Sequence, residues 1–375
     1  MKTTTLGFLL ASLVIAIPCS AQTALEKKLI GWSNEPNTRF MREHIAEMES
    51  TPFDGCVFRI DVHDPTSTIQ LSWNVWGKRA FIEAELQHAI DDLKATPFKR
   101  FTHNFLRLSV VTPGDVDWFD DFSSILNNVR LAARAAREGN AAGIAFDTEQ
   151  YDGNHFLFTY KQQRDAKTKS FEEYAAQVRV RGRELMQAFQ EGFPNLHILL
   201  TYGYCLSLAE ARYLRKHPGE PRYDLLAPLL DGMFDAATGS SKIIDGYEYS
   251  YGYKTAAEFD GARKQLHGPD LFKVATADSA KIEKHHSLGF GIWLDHGWRT
   301  NGWNVDDVEK NYFTPQSFEQ SVQLALEHAD EYVWVYNENP QWWSEIGKTK
   351  NLPRAYEQAL RNALRRAEPA ALGGK

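Results

Sequence analysis

Asp147 and Glu149 stand two residues apart at the end of the apolar run Gly143 to Phe146. In a strand successive side chains alternate faces, so an i, i+2 pair points the same way, with Cα atoms roughly 6.6 Å apart at about 3.3 Å per residue. Two carboxylates on one face of a partly desolvated cleft cannot both ionise freely; one keeps its proton and becomes a donor near neutral pH. That is the equipment of general acid catalysis. The same DxE pattern also serves where acids only cap a helix or pair with an arginine, so the reading depends on the elements that place the pair.

Those elements repeat without a linker or low-complexity tract. Apolar runs of strand length fall at 29–32, 55–62, 104–110, 143–146, 197–202, 243–250, 290–294 and 332–336. Helical periodicity fills the intervals at 39–49, 79–93, 119–137, 171–191, 256–265 and 315–328, and a last helix is expected at 353–366. Strand and helix in alternation imply right-handed parallel βαβ units, and eight of them predict an α/β chain folded as a single (β/α)8 TIM barrel over 22–375. The fifth connection, 206–241, is expected to hold two short helices, and the loop 63–77 to form part of a cleft wall.

In such a barrel reactive groups gather where the strands finish. The first strand ends in Ser33-Asn34-Glu35, the second in Arg59-Ile60-Asp61, and the sixth carries Asp245 and Glu248. The seventh ends in Asp295-His296 and the eighth in Asn337-Glu338. Asp147 and Glu149 are therefore the first catalytic candidates, with Glu149 the outer of the two and the expected proton donor. Glu248, Asp295 and Glu338 are the candidate opposing carboxylates. Aromatics make up 13% of the chain and include 10 Trp, more than a core of this size needs, which suggests flat platforms for sugar rings. Trp32, Tyr202, Tyr247, Trp293 and Trp334 are the candidate platforms, with Asp61 and Asn337 as polar contacts; Trp293 and Trp334 read equally well as barrel interior.

The fourth strand resembles the catalytic strand of chitinase-type, family 18 glycoside hydrolases, which ends in D-x-D-x-E. Asp147 and Glu149 match its last two acids, while Ala145 and Ala142 stand where that family has two more, and the match covers this strand alone. The resemblance implies that Glu149 protonates a leaving oxygen while Asp147 orients a substrate N-acetyl group. More widely the chain resembles the TIM-barrel glycoside hydrolases, which place an acid on the fourth strand and a second carboxylate on the sixth, seventh or eighth. That implies hydrolysis of a glycosidic bond in an oligo- or polysaccharide.

Other chemistries find less footing. There is no HxH, HExxH, cysteine cluster, GxGxxG, Walker or GxSxG pattern, and Asp61, His63 and Asp64 near Pro65 read as turn formers, so neither metal nor cofactor is expected. A net charge of -7 offers no broad basic face for nucleic acid. A non-catalytic sugar-binding barrel would keep the aromatic platforms without needing two acids on one face. A polysaccharide lyase would need basic groups to neutralise a uronate, whereas these strand ends are acid-rich apart from Arg59, Arg107 and Arg299, which favours neutral sugars.

Lys2, the apolar run 6–17 and Cys19-Ser20-Ala21 read as a signal peptide, 1–21, cleaved before Gln22, so a secreted or periplasmic protein is expected. Ile17-Pro18 makes a poor approach to lipidation of Cys19. No later run is long and apolar enough to span a bilayer. Cys56 and Cys205 lie in or beside apolar runs and read as buried thiols. No feature of the sequence specifies an oligomer.

Overall fold

The computed structural model describes residues 26–64, 67–112, 116–151, 155–344 and 350–367. The expected signal segment lies outside them. Eight parallel strands run in chain order through Lys28–Trp32, Gly55–Phe58, Phe105–Ser109, Gly143–Asp147, His197–Leu200 and Lys242–Asp245, then a seventh in two segments, His286–Leu288 and Phe290–Trp293, and finally Tyr332–Tyr336. Each pairs with its sequence neighbours, and the eighth closes on the first with Lys28 opposite Tyr332 and Trp32 opposite Tyr336. The seventh strand divides its bonding. Its lower segment pairs with the sixth, Ile243 opposite His286, and its upper segment with the eighth, Phe290 opposite Val333. The result is a (β/α)8 barrel.

The strands are short and buried on both faces, which is why they read as unbroken apolar runs. Alternate residues point inward. Ile30, Trp32, Val57, Phe105, Ala145, Leu199, Ile244, Tyr332 and Trp334 fill the barrel as one cluster, separate from the larger layer between sheet and helices. Trp334 is wholly buried, 4.9 Å from the Trp32 ring, and its indole N–H donates to the Gly246 carbonyl at 2.9 Å. A Cβ at Gly291 would come within 2.6 Å of that ring, so the neighbouring strand must present hydrogen there. The expectation that Trp334 offers a sugar-stacking face is corrected: both faces belong to the barrel interior.

Helices Thr38–Met48, Glu83–Ala95, Ser123–Glu138, Phe171–Gly192, Ala256–Leu266, Pro315–His328 and Arg354–Ala367 pack outside the strands, and the fifth connection holds the two expected helices, Tyr204–Lys216 and Leu226–Ala236. Their starts follow local chemistry. Asn37 accepts from the Phe40 N–H, Ser170 and Glu173 form a reciprocal capping box, and Thr314 caps a helix with Pro315 in its first turn. Each such cap contributes about 1 kcal/mol. Cys56 and Cys205 are buried free thiols, as expected.

Three strands depart most from the sequence reading. The second run stops as a barrel strand at Phe58, and Asp61–Asp64 then pairs antiparallel with Ser67–Gln70 in a hairpin, followed by a short helix Leu71–Asn74 where a plain loop was expected. The sixth strand ends at Asp245 rather than 250, because Tyr247 turns into the left-handed region (φ 47°) and starts a 3-10 turn, Glu248–Gly252. The seventh begins four residues early, its first segment hidden by the polar residues His286 and Ser287.

Candidate active site

The mouth of the barrel is built on a diagonal between strands three and four. Arg107 is paired in register with Ala145, whose methyl leaves room for the arginine stem to rise toward the next inward residue of strand four, Asp147. Arg107 Nη2 donates to Asp147 Oδ2 at 2.7 Å, and Nη1 lies 2.9 Å from Glu35 Oε1. Both Arg107 and Asp147 are buried. Burial works against the guanidinium charge, but Glu35 and Asp147 outweigh it and hold the arginine pKa above its ordinary value. The guanidinium also lies 4.3 Å from the centre of the Trp73 ring.

Asp147 is saturated. Besides Arg107 it accepts from the Tyr151 hydroxyl at 2.8 Å, Thr201 Oγ1 at 3.2 Å and the Glu149 N–H at 3.0 Å. It is an anchor and a fixed negative charge. That leaves no oxygen to turn toward a substrate N-acetyl group, so the orienting role expected of Asp147 is corrected to a positioning one. Glu35, on the turn after strand one, takes a positive φ of 40° and also accepts from the Trp32 indole at 3.0 Å. Trp32 is thereby floor, buried beneath Glu35, rather than a platform.

Glu149 sits just beyond the strand, half-buried. Burial first, and then the charge of Asp147, push its pKa up; a hydrogen bond with Tyr151 and the charges of Arg107 and Arg299 only partly oppose them. Glu248 lies on the turn after strand six and is deeper, 9% exposed. Burial, then Glu149, then Asp147 drive its pKa well up, against a hydrogen bond from Tyr251. The turn is fixed to strand seven by Ser250, whose hydroxyl donates to the Gly291 carbonyl at 2.8 Å and accepts its N–H at 3.1 Å. Tyrosines surround the pair. Tyr202 is half-buried with its ring 5.3 Å from Tyr249, and Tyr251 stacks on Tyr336 at 5.6 Å. Burial and the nearby acids raise the hydroxyls of Tyr202 and Tyr251, so both remain donors.

The other expected site residues divide. Asp295 is buried and accepts from the Glu338 and Asn339 N–H groups, the Asn339 amide and the Trp293 indole at 2.9–3.1 Å. It ties together the loops after strands seven and eight and has no free oxygen, which removes it as the opposing carboxylate. Glu338 stands at the rim, accepting from Trp298 and Arg299 at 2.7 Å each. Asn337 donates to Ser33 Oγ at 2.9 Å and joins strand eight to strand one. Tyr247 is buried against Phe290 and Tyr253, outside the barrel, and is corrected from platform to core. Asp61 is held by Arg59 at 2.9 Å on the hairpin. Tyr202 and half-buried Trp293 remain at the mouth. The sequence places Glu35, Arg107, Trp73 and Tyr151 near strand ends but assigns none of them, nor Tyr251, a role beside the acid pair. For Arg107 a signal was present: residues 105 and 107 share strand parity.

No family model and no curated protein sequence matches the chain. Solved structures do. The GH5_18 protein of Streptomyces cattleya in complex with GlcNAc superimposes with a TM-score of 0.50 at 9% identity, covering 94% of this chain and 83% of that one. A variant of the same protein in complex with Manb1-4GlcNAc gives 0.51 at 8% identity over 93% and 83%. At such identity the likeness establishes the barrel fold. Both of these are GH5_18 structures, and the chitinase-type resemblance of strand four finds no support in them.

Proposed function

We propose that the protein is a secreted glycoside hydrolase acting on neutral sugar chains, with Glu149 and Glu248 as its acid and opposing carboxylate. The observation that carries this reading is the pair itself: two carboxyls at the ends of strands four and six, both with raised pKa and the deeper one shifted by the charge of the other. Such a pair holds a proton to higher pH than isolated carboxyls would and titrates as a unit.

Glu149, the more open member, delivers its proton to the glycosidic oxygen as the bond to the anomeric carbon breaks. When the pair's proton is on Glu149, Glu248 is the carboxylate that faces the positive charge developing on the ring. A desolvated carboxylate is poorly stabilised in the resting site and strongly stabilised by that charge, so the interaction grows toward the transition state. Water supplies hydroxide to the anomeric carbon and its proton returns to the pair. Asp147, fixed by Arg107, Tyr151 and Thr201, keeps the proton on Glu149 until it is needed. A lyase reading is disfavoured because Arg107 and Arg299, the cations nearest the pair, are already matched by Asp147, Glu35 and Glu338.

The test is turnover on a panel of aryl glycosides and polysaccharides by the wild type, Glu149→Gln and Glu248→Gln. Each variant is expected to lose roughly 10²-fold or more in kcat while remaining folded. Full turnover by both would move the chemistry elsewhere. Binding without turnover by the wild type would make the barrel a carbohydrate-binding module.

A further inference from the structure

A cleft of about 420 Å³ opens on the flank of the mouth, between the first helix and the turn that follows strand one. Its volume lies within the range of small-ligand sites, about 300–1,000 Å³. We propose that this cleft is a second saccharide-binding site, taking a neutral sugar residue of the same chain whose scissile bond lies at Glu149 and Glu248. The proposal rests on the glycosidase reading and deepens it: the substrate is an extended oligo- or polysaccharide rather than a small glycoside.

The lining has the composition that sugar rings select. Phe40 and His44, one helical turn apart and both half-buried, stack with ring centres 4.2 Å apart and planes within 17°, forming one aromatic block whose outer face and edges remain for a ligand. Trp343 also lines the cleft and is almost wholly buried, and its indole N–H has no acceptor among the described residues. Polar groups complete it, and their charges are already matched. Arg39 pairs with Glu43 at 2.9 Å, and Arg59 with Asp61 at 2.9 Å. An anionic ligand would have to break these pairs, whereas a hydroxyl can join them as a further donor or acceptor. The occupant is therefore uncharged.

Position links the cleft to the mouth. Arg59, in its wall, donates to the Glu35 carbonyl at 2.5 Å, and the Glu35 carboxylate receives Arg107, which holds Asp147. The turn bearing Asn34 and Glu35 is thus a partition with the cleft on one side and the acid pair on the other. A chain crossing it would engage both.

Calorimetric titration of the full-length mature protein with di- and hexasaccharides of β-1,4-linked glucose, mannose and N-acetylglucosamine tests this. At least one hexasaccharide is expected to bind about tenfold more tightly than its disaccharide. Phe40→Ala and His44→Ala should each reduce that advantage without changing disaccharide affinity or the folded spectrum; His44 is the safer of the two for folding. Equal affinity for both lengths, an advantage that survives both substitutions, or binding of no member of the panel overturns the proposal. A length advantage lost in the variants of a protein that hydrolyses none of the sugars keeps the cleft and sinks the glycosidase reading. Hydrolysis with length-independent binding does the reverse.

Discussion

Arg107 reaches Asp147 across a diagonal, its Nη2 2.7 Å from Oδ2, because the residue directly beside it on strand four is Ala145. The alanine that departs from the chitinase-type pattern is the one that makes room for this ion pair. The charge so fixed is next to Glu149 and is one of the causes that raise its pKa.

Asp147→Asn removes that charge and keeps the shape. Loss of the Glu149 proton then becomes easier, so its pKa falls, and the limb of the pH–rate profile that reports protonated Glu149 moves to lower pH. Arg107 meanwhile loses one of its two carboxylates while still buried, which should cost about 3 kcal/mol by the measure of broken buried pairs. Urea unfolding and a pH–rate profile of the variant check both halves; an unmoved limb would separate Asp147 from the acid.

Glu149 and Glu248 should trade stability for chemistry. Their folded pKa values are raised, so the folded state holds protons that the unfolded chain releases above about pH 4.3. Stability contributed by these groups is complete below that pH and declines as pH rises toward the folded values. Glu248→Gln is therefore expected to unfold at a higher temperature than wild type at pH 7 and at the same temperature near pH 3.5. A variant less stable at both pH values would show that the carboxylate has a structural partner.

Trp334→Ala tests the correction to that residue. As part of the barrel interior it should cost about 3–5 kcal/mol in unfolding free energy, the range for large aromatic truncations. The molecules that remain folded should bind sugars with unchanged affinity. Weaker binding with native stability would restore Trp334 to the ligand.

Export is checked at the N-terminus. The mature chain recovered outside the cytoplasm should begin at or near Gln22, as read by mass spectrometry; an intact Met1 or a lipidated Cys19 on exported material would refute the cleavage.

Strands one, four and eight were legible because parallel strands covered on both faces leave continuous apolar runs. The expected strand 243–250 runs too far for the converse reason: its tyrosines favour strands, but Asp245-Gly246 and a left-handed Tyr247 end the strand. Glu149 and Glu248 were legible as acids at strand ends. What separated them from Asp295 and Glu338 was hydrogen bonding across loops distant in sequence, as when Asp295 receives two N–H groups from residues 338 and 339. Trp334 was ambiguous because parity gives the direction of a side chain and not its depth below the rim.

Ser250 gives the position of Glu248 a mechanical meaning. Its hydroxyl bonds both the N–H and the carbonyl of Gly291, replacing on one side chain the rungs that strand six would have offered had it continued. The junction of strands six and seven and the mount of the deeper acid are in this way one joint. Glu248 has no hinge of its own, and moving it would begin to unzip the wall.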